Sequence, residues 1–185
     1  MFTDHQISRI RRVKLVIAEK MIKLRSEDYI KTCNTRVCNY MFLAGGAITS
    51  LLQNEEPKDW DLYFKLPEPM ADLAVNLNSY NDKIADIDEK YREVYGLDGK
   101  MITNKAITMK DGCSFITMQY GTPEQVKSTF DYVHTMCHYD LSEDKLYISP
   151  KQYDACVNKK LIVNNSSVLK VYRKEKFIQR GYKQC

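Results

Sequence analysis

Apolar residues recur every three or four positions near the start of the chain, at Ile7, Ile10, Val13, Ile17, Met21 and Leu24. That spacing predicts an amphipathic helix within residues 1–30. Thr3-Asp4-His5-Gln6 ahead of it fits a capping box. The apolar run Tyr40–Ala44 then predicts a strand, and Ala47–Gln53 a short helix. From Trp60 to Lys65 the period becomes two. Trp60, Leu62 and Phe64 are assigned to a core, and Asp59, Asp61 and Tyr63 to a cleft. Pro67 and Pro69 open a long helical pattern through Met70, Leu73, Leu77, Tyr80, Ile84, Ile87 and Tyr91, with Gly96 as a stop. This stripe over 70–91 either covers one face of the sheet or offers a partner face for assembly.

Further along, 105–109 and 114–119 read as a hairpin around Asp111-Gly112. Thr122 caps a short helix with Pro123 at its first position. Residues 130–139, rich in aromatic and β-branched side chains, predict a strand, and 145–149 another. Two helices near 150–158 and 168–181 close the chain. The pattern is α/β (α+β): a small mixed sheet with flanking helices in one domain, 1–185, with no linker, repeat or low-complexity segment.

Composition narrows this picture. The chain has 185 residues, 44% of them apolar, enough for one real core. No apolar run reaches the length of a membrane span, so no membrane partner is expected. The first residues lack a signal-peptide pattern, which predicts a cytoplasmic protein. Cys33, Cys38, Cys113, Cys137, Cys156 and Cys185 form no Cys-x-x-Cys pair, so they read as reduced thiols rather than a zinc site. Net charge is only +4, but cations concentrate in 1–25 and 159–185. Two basic ends could flank a cleft and hold a polyanion, or could be ordinary solvated helix faces. His134 and His138 read as hydrogen-bonded, partly buried side chains.

The chemistry concentrates in residues 43–64. An apolar strand ends in Gly45-Gly46, a helix with Thr49 and Ser50 follows, and Lys58-Asp59-Trp60-Asp61-Leu62 comes next. Two glycines at a helix start let backbone N–H groups approach phosphate. Carboxylates at i and i+2 on a strand share a face and can share a divalent metal.

Gly45-Gly46-Ala47-Ile48-Thr49-Ser50-Leu51-Leu52 followed by Lys58-Asp59-Trp60-Asp61-Leu62 resembles the nucleotidyltransferase superfamily with the DNA polymerase beta-like fold. Its nearest flavour is the bacterial poly(A) polymerases and CCA-adding enzymes, and the wider layout is similar to small phage-encoded members. The resemblance implies the mixed sheet of that fold and a nucleoside triphosphate partner. It implies Mg2+ (or Mn2+) held by Asp59, Asp61 and a third carboxylate from a strand well downstream. Asp131, the acidic residue inside the strand-like 130–139 run, is the candidate, the alternatives being a salt bridge to a nearby Lys or Arg, or an edge position. Gly45, Gly46 and either Thr49 or Ser50 would contact the nucleotide.

The implied activity is metal-dependent transfer of a nucleoside monophosphate to an acceptor. The acceptor is RNA, a protein side chain or a small molecule, with RNA slightly favoured by the basic ends. Such a protein would work in a host cytoplasm, or in a virion if phage-encoded. The chain departs from the pattern at Ala47, where many relatives have Ser, and at Thr49-Ser50, where the CCA-adding pattern has Arg-Asp. The tRNA-tailing activity is therefore not carried over. A catalytically weak or inactive member, serving as a binding or assembly component of a phage particle, is the alternative.

Overall fold

The computed structural model describes residues 1–34, 36–87, 101–103 and 105–184. Helix α1 (Asp4–Ser26) begins at the expected capping box: Thr3 N donates to Gln6 Oε1 at 2.9 Å and Gln6 N to Thr3 Oγ1 at 3.3 Å. Val13, Ile17, Met21 and Leu24 are each buried. At roughly 1.5–3 kcal/mol per buried large apolar side chain, this stripe seats α1 on the sheet. A short α2 (Asp28–Lys31) follows.

Strands β1 (Met41–Ala44), β2 (Trp60–Phe64), β3 (Ala106–Thr108), β4 (Cys113–Tyr120), β5 (His138–Asp140) and β6 (Lys145–Tyr147) form one sheet in the order β3-β4-β2-β1-β5-β6. β2 and β4 run parallel, and the other neighbours are antiparallel. In register, Leu43 faces Leu62, Met41 faces Phe64 and Phe42 faces Tyr63. Period-two alternation therefore divides the sheet. Met41, Leu43, Leu62, Phe64 and Phe115 join the stripe of α1 in the main core. Phe42, Ala44 and Tyr63 form a smaller cluster on the other face with Val126 of α5 (Pro123–Ser128). Asp61 shares the face of Tyr63.

Helix α3 (Gly46–Leu52) connects β1 to β2. The chain closes with α6 (Pro150–Val157), β7 (Lys160–Leu161), α7 (Val171–Gln179) and β8 (Lys183–Gln184). β7 and β8 pair in parallel, which returns the chain end to the segment just after α6. Among the described residues, Cys33, Cys38, Cys113, Cys137 and Cys156 are free thiols. No described helix is long and apolar enough to cross a membrane.

Three expectations are corrected. The helix expected over 70–91 is α4 (Pro67–Leu77), followed by a 3-10 turn over Asn78–Lys83 that is broken at Tyr80 (φ −120°, ψ 35°). Asn78, Ser79, Asn81 and Asp82 are poor helix formers whose side chains compete for backbone groups. Ile84 instead bridges Met109. Met70, Leu73, Leu77, Tyr80 and Ile84 all pack on the main core, so the stripe is not an open partner face. Tyr91 and Gly96 lie outside the described residues.

The strand expected over 130–139 is also broken. Tyr132 bridges Val163, Val133–Thr135 is a 3-10 turn, and only His138–Asp140 joins the sheet. Val133 N donates to Ile162 O at 2.9 Å, and Thr135 O accepts from Gly45 N at 3.1 Å. Backbone groups that a ladder would use are thus taken by other segments, which overrides β propensity.

The two basic ends do not flank one cleft. The stripe of α1 belongs to the main core, on the sheet face opposite Asp61 and Tyr63, whereas α7 lies on the Asp61 side.

Candidate functional site

On the Asp61 face, a cavity of about 710 Å³ opens between the Gly45 turn, the start of β2 and α7. Gly45 carries φ 90° and ψ −143°, a backbone state essentially reserved for glycine. A Cβ there would lie 3.4 Å from Asp61 Oδ2, so the carboxylate sits close beside the turn, with room for little more than a methyl group between them. Gly46 opens α3 with nothing within 4 Å of where its Cβ would be. Both glycines line the cavity.

Asp59 and Asp61 line it as well. Asp59 is exposed and immediately precedes β2, while Asp61 is half-buried within it. Burial first, and the neighbouring Asp59 charge second, push the Asp61 carboxyl up to about 6, against the pull of Arg173 and Lys176. A carboxylate that carries a desolvation cost beside a second carboxylate is relieved by a cation. The two oxygen donors therefore fit a hard divalent ion such as Mg2+ or Mn2+. Among the described residues, no group of three His, Cys, Asp or Glu side chains is gathered to enclose a metal.

Asp131 lines the same cavity, but in the turn after α5 rather than on a strand. It is 4% exposed, and a guanidinium takes both of its oxygens: Arg173 Nε–Oδ2 is 2.5 Å and Nη2–Oδ1 is 3.1 Å. This is the bidentate fork that holds a buried carboxylate in one orientation. The salt bridge left open by the sequence is therefore present.

Thr49 is buried, and its hydroxyl donates inward to His134 O at 2.7 Å. It braces α3 against the turn at 133–135. Ser50 lies on the cavity wall. Ala47 is packed in the main core.

Two features escaped the sequence. Arg173, Lys176 and Arg180, spaced three and four apart around α7, all line the cavity. That spacing was legible, but only the fold shows which wall it serves. His134 is 1% exposed, with both ring nitrogens unpaired. Its ring is boxed by Phe177 and Tyr182, each at 4.5 Å, and by Tyr132 at 5.7 Å. Burial pushes its pKa down to about 4. Among the described residues, the hydrogen bond expected of the two histidines is therefore absent at His134 and present at His138, whose Nδ1 lies 2.9 Å from the Lys127 ammonium.

The fold is that of the nucleotidyltransferase superfamily. The chain resembles the Thermotoga maritima CCA-adding enzyme complexed with tRNA (TM-score 0.55, 14% identity, 90% of this chain and 42% of that one). It also resembles the Bacillus stearothermophilus CCA-adding enzyme in complex with CTP (0.51, 13%, 85% and 38%). A third match is a tRNA nucleotidyltransferase complexed with a primer tRNA and an incoming ATP analog (0.53, 11%, 79% and 43%). The chain thus spans about two fifths of the length of these enzymes, and identities this low speak for the fold. No curated relative matches the chain. Residues 16–159 match the model of the Gad2 family, described as Gabija anti-defense 2 family protein, and the chain belongs to that family.

Proposed function

We propose that this chain is a metal-dependent nucleotidyltransferase that moves a nucleoside monophosphate from a nucleoside triphosphate to an acceptor hydroxyl. The observation that carries the reading is the Gly45 turn, Asp61 close beside it and Asp59 all lining one cavity. Asp59 and Asp61 would hold Mg2+ or Mn2+. Such an ion, when bound, supplies charge neutralisation for phosphoryl transfer. Gly45 and Gly46 keep the turn free of side chains where the nucleotide lies, and Ser50 offers a hydroxyl on the same wall. Asp131 positions Arg173 and, through it, α7. Asp131 becomes a metal ligand only if the fork opens.

The basic cavity wall favours an RNA acceptor, with a protein side chain second. The protein would act in the cytoplasm of a phage-infected host, consistent with the description of its family as anti-defence.

A second reading, a nucleotidyltransferase fold used as a binding module, is favoured by the closed Asp131–Arg173 fork and the inward Thr49 hydroxyl. Incubation with magnesium and each labelled triphosphate, alone and with bulk RNA, separates the two. Pyrophosphate release that Asp59→Asn/Asp61→Asn abolishes is expected. Absence of both release and metal-dependent nucleotide binding would sink the enzyme reading.

A further inference from the structure

Helix α7 is anchored at two points. Phe177 is its buried residue, set edge-on to Tyr132 (5.5 Å) and His134 (4.5 Å). Four residues earlier, Arg173 forks onto Asp131. These contacts fix the rotation of the helix about its axis. Positions 173, 176 and 180 then share one helical face, and that face lines the cavity with Asp59 and Asp61. Arg173 spends its charge on Asp131. Among the described residues, neither Lys176 nor Arg180 has an ion-pair partner.

The three cations also act on one another. Lys176 has its pKa lowered, first by burial and then by Arg180 and Arg173, with Asp59 opposing. Like charges held together on an anchored helix raise the free energy of the empty site, and a multivalent anion relieves it.

We propose that the Lys176–Arg180 face of α7, with Arg173 behind it, is a polyphosphate-binding site that takes the pyrophosphate portion of a nucleoside triphosphate and also binds inorganic triphosphate with neither nucleoside nor metal. The nucleotide part rests on the reading above, and the inorganic part does not. Guanidinium and ammonium groups give charge-assisted hydrogen bonds to phosphate oxygens, with Arg180 able to engage two oxygens at once. Asp59 and Asp61 sit on the same cavity and oppose the anion when no metal neutralises them.

Binding of sodium triphosphate is measured by calorimetry in EDTA at low salt on the full chain. Lys176→Gln/Arg180→Gln should weaken it at least tenfold. Lys174→Gln, an exposed cation of the same helix off the cavity, should change it less than twofold. Asp59→Asn/Asp61→Asn should tighten it while abolishing any turnover. A melting curve for each variant checks the fold, and the carboxylate variant reports on the same site should the cation variant melt early.

No metal-free binding by the wild type, or equal loss from Lys174→Gln, overturns the site. So does weakening on carboxylate removal. Failure of the enzyme reading looks different: triphosphate binds as described, but no pyrophosphate is released from any nucleotide.

Discussion

Gly45 and Gly46 are neighbours in sequence and opposites in physics. Gly45 holds φ 90° and ψ −143°. An alanine forced there costs on the order of 1–3 kcal/mol in backbone strain. Its Cβ would meet Asp61 Oδ2 at 3.4 Å, an ordinary contact that adds little further cost. Gly46 is in the first turn of α3, is not among the positive-φ glycines, and its Cβ would meet nothing within 4 Å. Alanine there reduces unfolded-state freedom and suits a helix, a gain of roughly 0.4–1 kcal/mol. For a chain of this size, each kcal/mol moves Tm by about 2–4 °C. Gly45→Ala should therefore lower Tm by about 2–12 °C, and Gly46→Ala should raise it by about 1–4 °C. Gly46 lines the cavity and a methyl group there would stand in open space, so nucleotide affinity should fall while Tm rises. Calorimetric melting with nucleotide titration reads both. Equal Tm shifts of the same sign at the two positions would refute the argument.

Asp131→Asn leaves Arg173 facing a neutral group. Because the Arg173 side chain is 37% exposed, the loss should be nearer 2 than the roughly 3–5 kcal/mol of a fully buried pair, read by urea unfolding. An unchanged midpoint would show that the fork contributes nothing to stability.

Acid should destabilise the fold between pH 6.5 and pH 4. His134 and His138 are pushed down to about 4 from 6.5, in both cases chiefly by burial, with Lys127 adding to the shift at His138. Their contribution is complete above pH 6.5 and is lost as pH falls from there toward 4. Asp61, raised to about 6, works in the opposite direction over the same range. Two groups against one leave a net loss of about 3 kcal/mol at pH 4. His134→Phe should remove much of the slope in denaturant midpoint against pH, and an unaltered slope would contradict this.

Leu73 is buried and Val75 is 71% exposed on the same helix. Leu73→Ala should cost about 2–5 kcal/mol and Val75→Ala less than about 0.5, by chemical denaturation. Similar costs would mean that the stripe of α4 does not pack on the core.

Much of the site was legible locally. The alternation of Asp59, Asp61 and Tyr63 against Trp60, Leu62 and Phe64 placed carboxylates and core on opposite sides of β2, because side-chain direction along a strand depends only on parity. The capping box at Thr3 involves residues three apart, so no tertiary information was needed. The 70–91 stripe misled because periodicity records burial, and a helix followed by a 3-10 turn and a bridge buries Leu73, Leu77 and Ile84 just as one long helix would.

The sequence by itself determined the Gly45-Gly46 turn, the Asp59–Asp61 pair and the strand that carries the second carboxylate, since each depends on neighbours within a few residues. Only the tertiary structure decided that Asp131 answers to Arg173, 42 positions away, and that α7 rather than α1 supplies the basic wall of the cavity. It also decided that His134 is closed among rings with its nitrogens unpaired. Those outcomes depend on which backbone groups compete successfully for partners across the fold, and no local pattern encodes that competition.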